Sequence, residues 1–296
     1  MKMHRDELDI DDDLVARLVA SQFPEWAALP LVPVEPSGTD HVMYRLGDER
    51  VVRLPRRVQI AKQLERDRQW LPGLADQLPV PISVPRAAGA PAFGYPCAWS
   101  IYSWLPGHPV VFGQIDDMRA LAVEVAEFVQ ALRAIDATNG PAPTGRGLSL
   151  ALTDPFVRAA IDECGDSIDR DAALVAWNAT MQLPEWSGPP TWFHGDILPG
   201  NVLVDDAGHL CGIIDWACMG VGDPVCDTEI AWNLFDAESR ALYRELLRVE
   251  DDDWARGRGW ALRGVLGIEY YRVTNPRFAA QARREFETAL ADFFAP

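Results

Sequence analysis

The sequence predicts an α+β chain in two lobes, an antiparallel-sheet lobe over residues 1–104 and a mainly helical lobe over 105–296. Three observations predict it. Short β-rich pieces (LVPVEP, HVMYRLG, RVVRLP) follow one another from Leu31 to Pro55, parted by Ser37-Gly38-Thr39-Asp40 and Gly47-Asp48, which is the pattern of a three-stranded meander. After the punctuation Leu105-Pro106-Gly107 the texture changes: Met118, Leu121, Val125, Phe128 and Leu132 recur at the three-and-four spacing of one buried helix face. A length of 296 residues is about twice a usual domain, which leaves room for both lobes.

The elements follow in order. Leu14, Val15, Leu18 and Val19 predict a short helix over 11–22, with Pro24 soon after its end. Beyond the meander, Ile60, Leu64, Trp70, Leu71 and Leu74 predict a helix from Val58 to Gln77, and strands are expected near Ile82 to Arg86 and Cys97 to Trp104. In the second lobe, Asn139 to Gly147 reads as a Pro/Gly loop, and helices are expected over 155–164 and 170–182. Pro189-Pro190 introduces a stretch of strand character from Trp192 to Trp216. The chain closes on a helix that Asn275 caps and Pro276 begins, with Ala279, Ala282, Phe286, Leu290 and Phe293 on one face.

Composition narrows the function. The balance of 27 basic against 44 acidic residues gives a net charge of −17, a field that repels phosphate backbones and anionic lipid, so nucleic acid is not an expected partner. No run approaches the roughly 18 apolar residues of a membrane span, so no membrane partner is expected either. Five widely spaced cysteines without a CxxC pair signal neither a disulfide framework nor a zinc site. With an acidic N-terminus unlike a signal peptide, they predict reduced thiols and a cytoplasmic protein. A monomer or weak dimer is expected, although no feature of the sequence carries the oligomeric state. Lys occurs only at Lys2 and Lys62, so chemistry that needs a cation must almost always use Arg.

The residues that carry chemistry lie at His194-Gly195-Asp196-Ile197-Leu198-Pro199-Gly200-Asn201, followed by Val202-Leu203-Val204, a turn at Asp205 to Gly208, and Gly212-Ile213-Ile214-Asp215-Trp216. An Asp, an Asn five residues later and a second Asp beyond a hairpin are what phosphoryl transfer requires. One carboxylate stands beside the attacking hydroxyl, and two oxygen ligands hold Mg²⁺. The kinase catalytic loop reads H-R-D-x-x-x-x-N before a later metal-binding Asp, and here Gly195 stands in the Arg position.

With HGDILPGN, IIDW and VGDPVCDTEIAW, the chain resembles the aminoglycoside phosphotransferase family and its relatives, the macrolide phosphotransferases and other small-molecule kinases of protein-kinase-like fold. The similarity extends to RLGDERVVRLPRR and YSWLPG, and so covers nearly the whole chain. It implies a two-lobed kinase-like fold with Asp196 as the base for the acceptor hydroxyl, Asn201 and Asp215 as magnesium ligands, and ATP or GTP as co-substrate. His194 matches the loop-supporting histidine, and Asp227 the residue that braces the loop. N-capping of a helix from Thr228 to Phe235 explains Asp227 equally and is the favoured reading of it.

The resemblance gives the nucleotide to the first lobe. Where the kinase pattern has a Lys on the third strand, this sequence has Val51-Val52-Arg53-Leu54-Pro55, so Arg53 is expected to chelate phosphate with its fork. Its acidic partner is expected at Asp67, with Glu65 as the rival; two residues apart on one helix, they cannot face the same way. Ser37, Gly38 and Thr39 are the expected lid over the phosphates. Ser103 and Trp104, at the lobe boundary, are expected to offer backbone groups to the purine edge.

The acceptor is less legible. Ten acids between Val221 and Asp253 against three arginines suggest an acidic rim for a cationic acceptor, an aminoglycoside or a basic cyclic peptide. Trp216, Trp232, Tyr270 and Tyr271 suit an apolar macrolide cleft equally. Asp236, Glu269 and Trp232 are the candidate acceptor contacts. The expected activity is therefore transfer of a γ-phosphoryl group to a hydroxyl of a cationic antibiotic, giving resistance. The alternatives are a macrolide phosphotransferase, a sugar or amino-alcohol kinase, and a catalytically silent pseudokinase suggested by Arg53 in place of Lys.

Overall fold

The computed structural model of the protein describes residues 6–35 and 40–295. The chain divides into two compact units, Met1–Asp76 with Pro81–Pro106, and Gln77–Val80 with Gly107–Pro296.

The first unit is built on α1 (Asp12–Gln22), β1 (Leu31–Pro33), β2 (His41–Leu46), β3 (Arg50–Pro55), α2 (Gln63–Ala75), β4 (Pro85–Gly89) and β5 (Trp99–Ser103). Its sheet runs β1-β2-β3-β5-β4, and every pair is antiparallel. Asp11 caps α1 by accepting from the Leu14 amide at 2.8 Å, and the predicted stripe Leu14, Val15, Leu18 and Val19 is buried against Val52, Leu54, Trp99 and Ile101 of the sheet. Because side chains alternate along a strand, Val52 and Leu54 on this face put Arg53 on the other.

Two elements differ from the sequence expectation. Residues 58–62 form a tight 3-10 turn rather than the start of a helix, since Arg57 offers no side-chain cap. The strand expected at Ile82 begins instead at Pro85, although Val84 still accepts the Ser103 amide at 2.9 Å.

The second unit contains β6 (His108–Pro109), α3 (Met118–Ala134), α4 (Asp154–Cys164), α5 (Arg170–Thr180), β7 (Thr191–Phe193), β8 (Val202–Val204), β9 (Leu210–Ile213), β10 (Gly220–Gly222), α6 (Ile230–Asn233), α7 (Ala237–Leu247), α8 (Asp251–Leu262), α9 (Val265–Tyr270) and α10 (Pro276–Phe294). Leu121, Val125, Phe128 and Leu132 of α3 have no exposed surface, as their spacing requires. Asn275 caps α10 through the Phe278 amide. The strand-like stretch 192–216 falls into two small sheets, β10-β7 and β6-β8-β9. The loop between β7 and β8 carries the HGDILPGN motif. Among the described residues, no helix is long and apolar enough to cross a membrane, and all five cysteines are free.

Candidate active site

The loop after β7 is held by its own backbone. The His194 amide (2.9 Å) and the Gly195 amide (2.6 Å) both donate to the Asp227 carboxylate, whose backbone carbonyl accepts from the Tyr243 hydroxyl at 3.0 Å. Asp227 is fully buried, and burial pushes its carboxyl up to about 6 against the pull of those two amides. The expected N-capping role is therefore corrected. Residues 224–228 form a 3-10 turn capped by Asp223, α6 starts only at Ile230, and Asp227 braces the loop.

His194 ties this loop to the end of β9. Its Nε2 lies 3.1 Å from the Ile214 carbonyl and its Nδ1 accepts the Asp196 amide at 3.2 Å, an arrangement met by the neutral Nε2–H tautomer. The ring is buried, edge-on to Trp216 at 4.6 Å, and burial lowers its pKa to about 3.

Asp196 keeps about a quarter (26%) of its side chain exposed. The Asn201 amide nitrogen donates to its Oδ2 at 3.0 Å and to its carbonyl at 2.9 Å, while Arg146 Nη2 stands 3.6 Å from its Oδ1. Burial, opposed by Arg146 and reinforced by the Asp215 and Glu229 charges, pushes the carboxyl up to about 7. Asp215 follows β9 with a left-handed backbone (φ 62°, ψ 68°), a costly conformation for a non-glycine residue and one that gathers at functional positions. The preceding Ile214 amide is pinned to the Asn201 carbonyl at 2.9 Å. Asp196, Asn201 and Asp215 thus come together.

Their donor set suits a hard cation. With its nitrogen committed to Asp196, the Asn201 amide has its Oδ1 left to ligate beside the Asp215 carboxylate. No cluster of three His, Cys, Asp or Glu among the described residues can hold a metal unaided. A magnesium ion there would take its remaining ligands from water and phosphate, as this ion commonly does.

In the first unit, the Arg53 guanidinium lies over the Tyr102 ring at 4.8 Å, and the Tyr102 hydroxyl donates to Asp67 at 2.8 Å. Asp67 is fully buried and Glu65 is exposed, so the structure brings Asp67 to this cluster. Ser37, Gly38 and Thr39 lie outside the described residues. Ser103 and Trp104 are not placed as expected. Their amides donate to the Val84 and Glu49 carbonyls beside the strands, and the Ser103 carbonyl takes the Ser83 hydroxyl, so both amide donors are already used inside the chain.

The acceptor contacts need correction too. Trp216 and Trp232 are 1% exposed, core residues rather than cleft walls, and Trp232 packs on Trp254 at 4.6 Å. Asp236 caps α7 through the Ser239 amide, which holds its carboxyl below the usual range. Glu269 pairs with Arg272 at 2.8 Å. The acidic rim is narrower than its sequence suggests: Asp223 caps a turn and meets Arg256, Asp227 and Glu229 are buried, and Asp253 pairs with Arg256, while Asp236, Glu238, Glu245, Glu250, Asp251 and Asp252 remain exposed.

Sequence reasoning passed over Arg146, Glu229 and Tyr102. Arg146 sits in a stretch read as a Pro/Gly loop, and its one signal was the absence of a cation at Gly195.

Comparison with known proteins bears on the family and the fold. The pattern of the Phosphotransferase enzyme family matches residues 32–260. The chain is 27% identical over 157 residues to an aminoglycoside 3'-phosphotransferase of Escherichia coli, covering 51% of this chain and 58% of that one. It is 25% identical over 185 residues to the uncharacterized protein YcbJ of Bacillus subtilis (strain 168), covering 61% and 56%. The match thus spans little more than half the length of these relatives. Among solved structures, the GDP and kanamycin complex of APH(2")-IIIa superposes with a TM-score of 0.76 at 20% identity, over 95% of this chain and 99% of that chain. Macrolide 2'-phosphotransferase MphH from Brachybacterium faecium does so with a TM-score of 0.62 at 22% identity, over 97% and 99%. These neighbours share the kinase-like fold, and with the family pattern running through both units and the catalytic loop, the chain belongs to the phosphotransferase enzyme family.

Proposed function

We propose that the protein is a nucleoside-triphosphate-dependent O-phosphotransferase that phosphorylates a hydroxyl of a small-molecule antibiotic, with an aminoglycoside as the first candidate. The observation that carries this reading is the Asp196 carboxylate, held at both oxygens by side chains and left partly open, beside Asn201 and the strained Asp215. Phosphoryl transfer asks little covalent chemistry of a protein; it asks for positioning and for charge at the phosphates. Asp196 accepts the proton of the acceptor hydroxyl at a carboxylate oxygen, and a pKa raised towards neutrality favours a base that must also release that proton. Asn201 and Asp215 hold the magnesium, which when bound neutralises phosphate charge. Arg53, oriented by the Tyr102 face and by Asp67 behind it, grips phosphate oxygens.

An aminoglycoside is favoured by the net charge of −17, which draws cations over long range, and by the kanamycin and gentamicin complexes of structural neighbours. Free cysteines suit a reducing compartment, and we place the protein in the cytoplasm.

The test is a coupled ADP/GDP-release assay with ATP and GTP against kanamycin, gentamicin, streptomycin, a macrolide and an amino alcohol, with and without Mg²⁺. Magnesium-dependent turnover with an aminoglycoside, abolished by Asp196→Asn, supports the reading. Turnover with the macrolide or the amino alcohol alone moves the acceptor class, and nucleotide binding with no turnover on any acceptor identifies a silent pseudokinase.

A further inference from the structure

The H-G-D loop carries no cation of its own, and its backbone forbids one. Gly195 has a φ of +84°, and a Cβ there would meet the Cys218 carbonyl oxygen at 2.7 Å and the Arg146 Cβ at 3.0 Å. A side chain at 195 is therefore excluded both by conformation and by space. One of the neighbours that crowd it is itself an arginine.

Arg146 lies on the segment between α3 and α4, with 11% of its side chain exposed. Its guanidinium stacks on the Trp260 indole at 4.9 Å and donates to both carboxylate oxygens of Glu229. Its Nη2 reaches Glu229 Oε1 at 3.2 Å and Asp196 Oδ1 at 3.6 Å. Burial by itself would lower the pKa of this guanidinium, but Glu229 and Asp196 reverse the effect and hold it firmly charged. Behind Glu229, the Glu285 carboxyl is buried, takes the Asn233 amide at 2.7 Å, and is pushed well above the usual carboxylate range by burial and by Glu229. Glu229 takes only two of the five guanidinium N–H groups, and the same fork keeps Nη2 within ion-pair range of Asp196.

We infer that Arg146 is a positioning residue for the transfer reaction, the cation that this chain brings to its catalytic aspartate from a distant loop. It acts through Asp196. The Asn201 amide hydrogen-bonds Oδ2 at 3.0 Å and the Arg146 charge stands 3.6 Å from Oδ1, so the two together favour one orientation of the carboxylate. The fork matters as well as the charge, because one guanidinium spans Glu229 and Asp196 together while a lysine ammonium, a point charge on a flexible stem, is not held to that geometry. The inference rests on Asp196 being the group that faces the acceptor hydroxyl.

The experiment measures phosphoryl transfer from ATP and GTP to kanamycin and to water for Arg146→Lys, for Arg146→Ala, for Arg146→Ala with Glu229→Gln, and for Asp196→Asn as reference. The double variant avoids stranding a buried Glu229 charge, and Arg146→Lys keeps the inference testable if both alanine variants fail to fold. The expected result for the folded alanine variants is a fall in kcat of about 10²-fold, the scale of a misplaced catalytic group, with nucleotide KM within about twofold of the parent. Arg146→Lys recovers part of the loss. Free guanidinium ion raises kcat in the alanine variants and leaves the parent unchanged.

If Asp196→Asn is inactive while the Arg146 variants stay within about threefold of the parent, this inference is overturned and the reading of the site stands. Loss of kcat accompanied by a matching loss of nucleotide affinity, with no response to guanidinium or to Lys, shows a merely structural Arg146 and overturns it as well. Full activity of Asp196→Asn overturns the site reading itself.

Discussion

The catalytic loop, His194 to Asn201, and the acid-rich strip from Val221 to Asp253 look alike as charge but differ in how their carboxylates are engaged. In the strip, backbone amides take the oxygens of three of the acids: Asp223 takes Val225, Asp236 takes Ser239, and Asp227 takes two amides of the loop itself. Among the described residues, no backbone amide donates to the Asp196 carboxylate; its partners are the side chains of Asn201 and Arg146. A carboxylate locked by backbone amides builds structure, whereas one held by side chains and partly open to solvent remains available to exchange a proton. The position of an acid relative to a helix start therefore says more about its role than the local density of acids does.

The largest expected effect lies at the open carboxylate. Asp196→Asn keeps the shape and removes the base, and kcat should fall by about 10² to 10⁴, with the affinity for Mg-nucleotide by calorimetry close to that of the parent. Near-parent turnover would break the distinction at its strongest point.

Asp227→Ala should act on the fold, since it leaves two buried amides without an acceptor. At roughly 1 to 3 kcal/mol for each unsatisfied group, a loss of about 2 to 6 kcal/mol is expected by urea unfolding. Stability unchanged within error would mean that the loop does not depend on this brace.

His194 supplies a pH test of the same bracing. Folded, it stays neutral down to about 3, while the unfolded chain takes up a proton near 6.5, so acid favours the unfolded state throughout that window. The His194 contribution to stability should therefore be complete above 6.5 and fall by about 1.4 kcal/mol per pH unit below it, while the raised Asp196 and Asp227 carboxyls contribute the opposite slope in parent and variant alike. His194→Gln should remove that slope. Buried His41, whose pKa is lowered by burial and by Arg53 and Arg56, contributes alike to both proteins, and the difference isolates His194. Parallel curves would show that protonating His194 does not open the loop.

The smallest effect sharpens the contrast from the other side. Asp236→Ala should cost about 1 kcal/mol as a lost helix cap and leave kcat and KM for every acceptor unchanged. A selective rise in KM for kanamycin would return this residue to the acceptor site.

The same contrast explains what the sequence could reveal. Asp196, Asn201 and Asp215 lie within one short stretch whose spacing encodes their meeting, and the stripe of α3 and the cap of α10 are equally local. Arg146 and Glu229 are 83 residues apart, and nothing within either segment announces the other. Trp232 failed as a cleft residue because an aromatic beside a motif reads the same whether it faces ligand or core. Asp227 failed as a cap because α6 begins at Ile230 rather than at Thr228, and its carboxylate takes the loop amides instead.

The crowding at Gly195 carries a consequence for the history of such chains. A side chain at 195 is excluded by its positive φ and by the Cys218 carbonyl oxygen at 2.7 Å, and it would also crowd the Arg146 Cβ at 3.0 Å. Moving the arginine back into the H-x-D loop therefore passes through an intermediate with either two clashing side chains or no cation at all. Each single step is unfavourable even though both end states are workable. A homologue with a side chain at the middle position of this motif is therefore expected to carry a displaced backbone at the counterpart of 218.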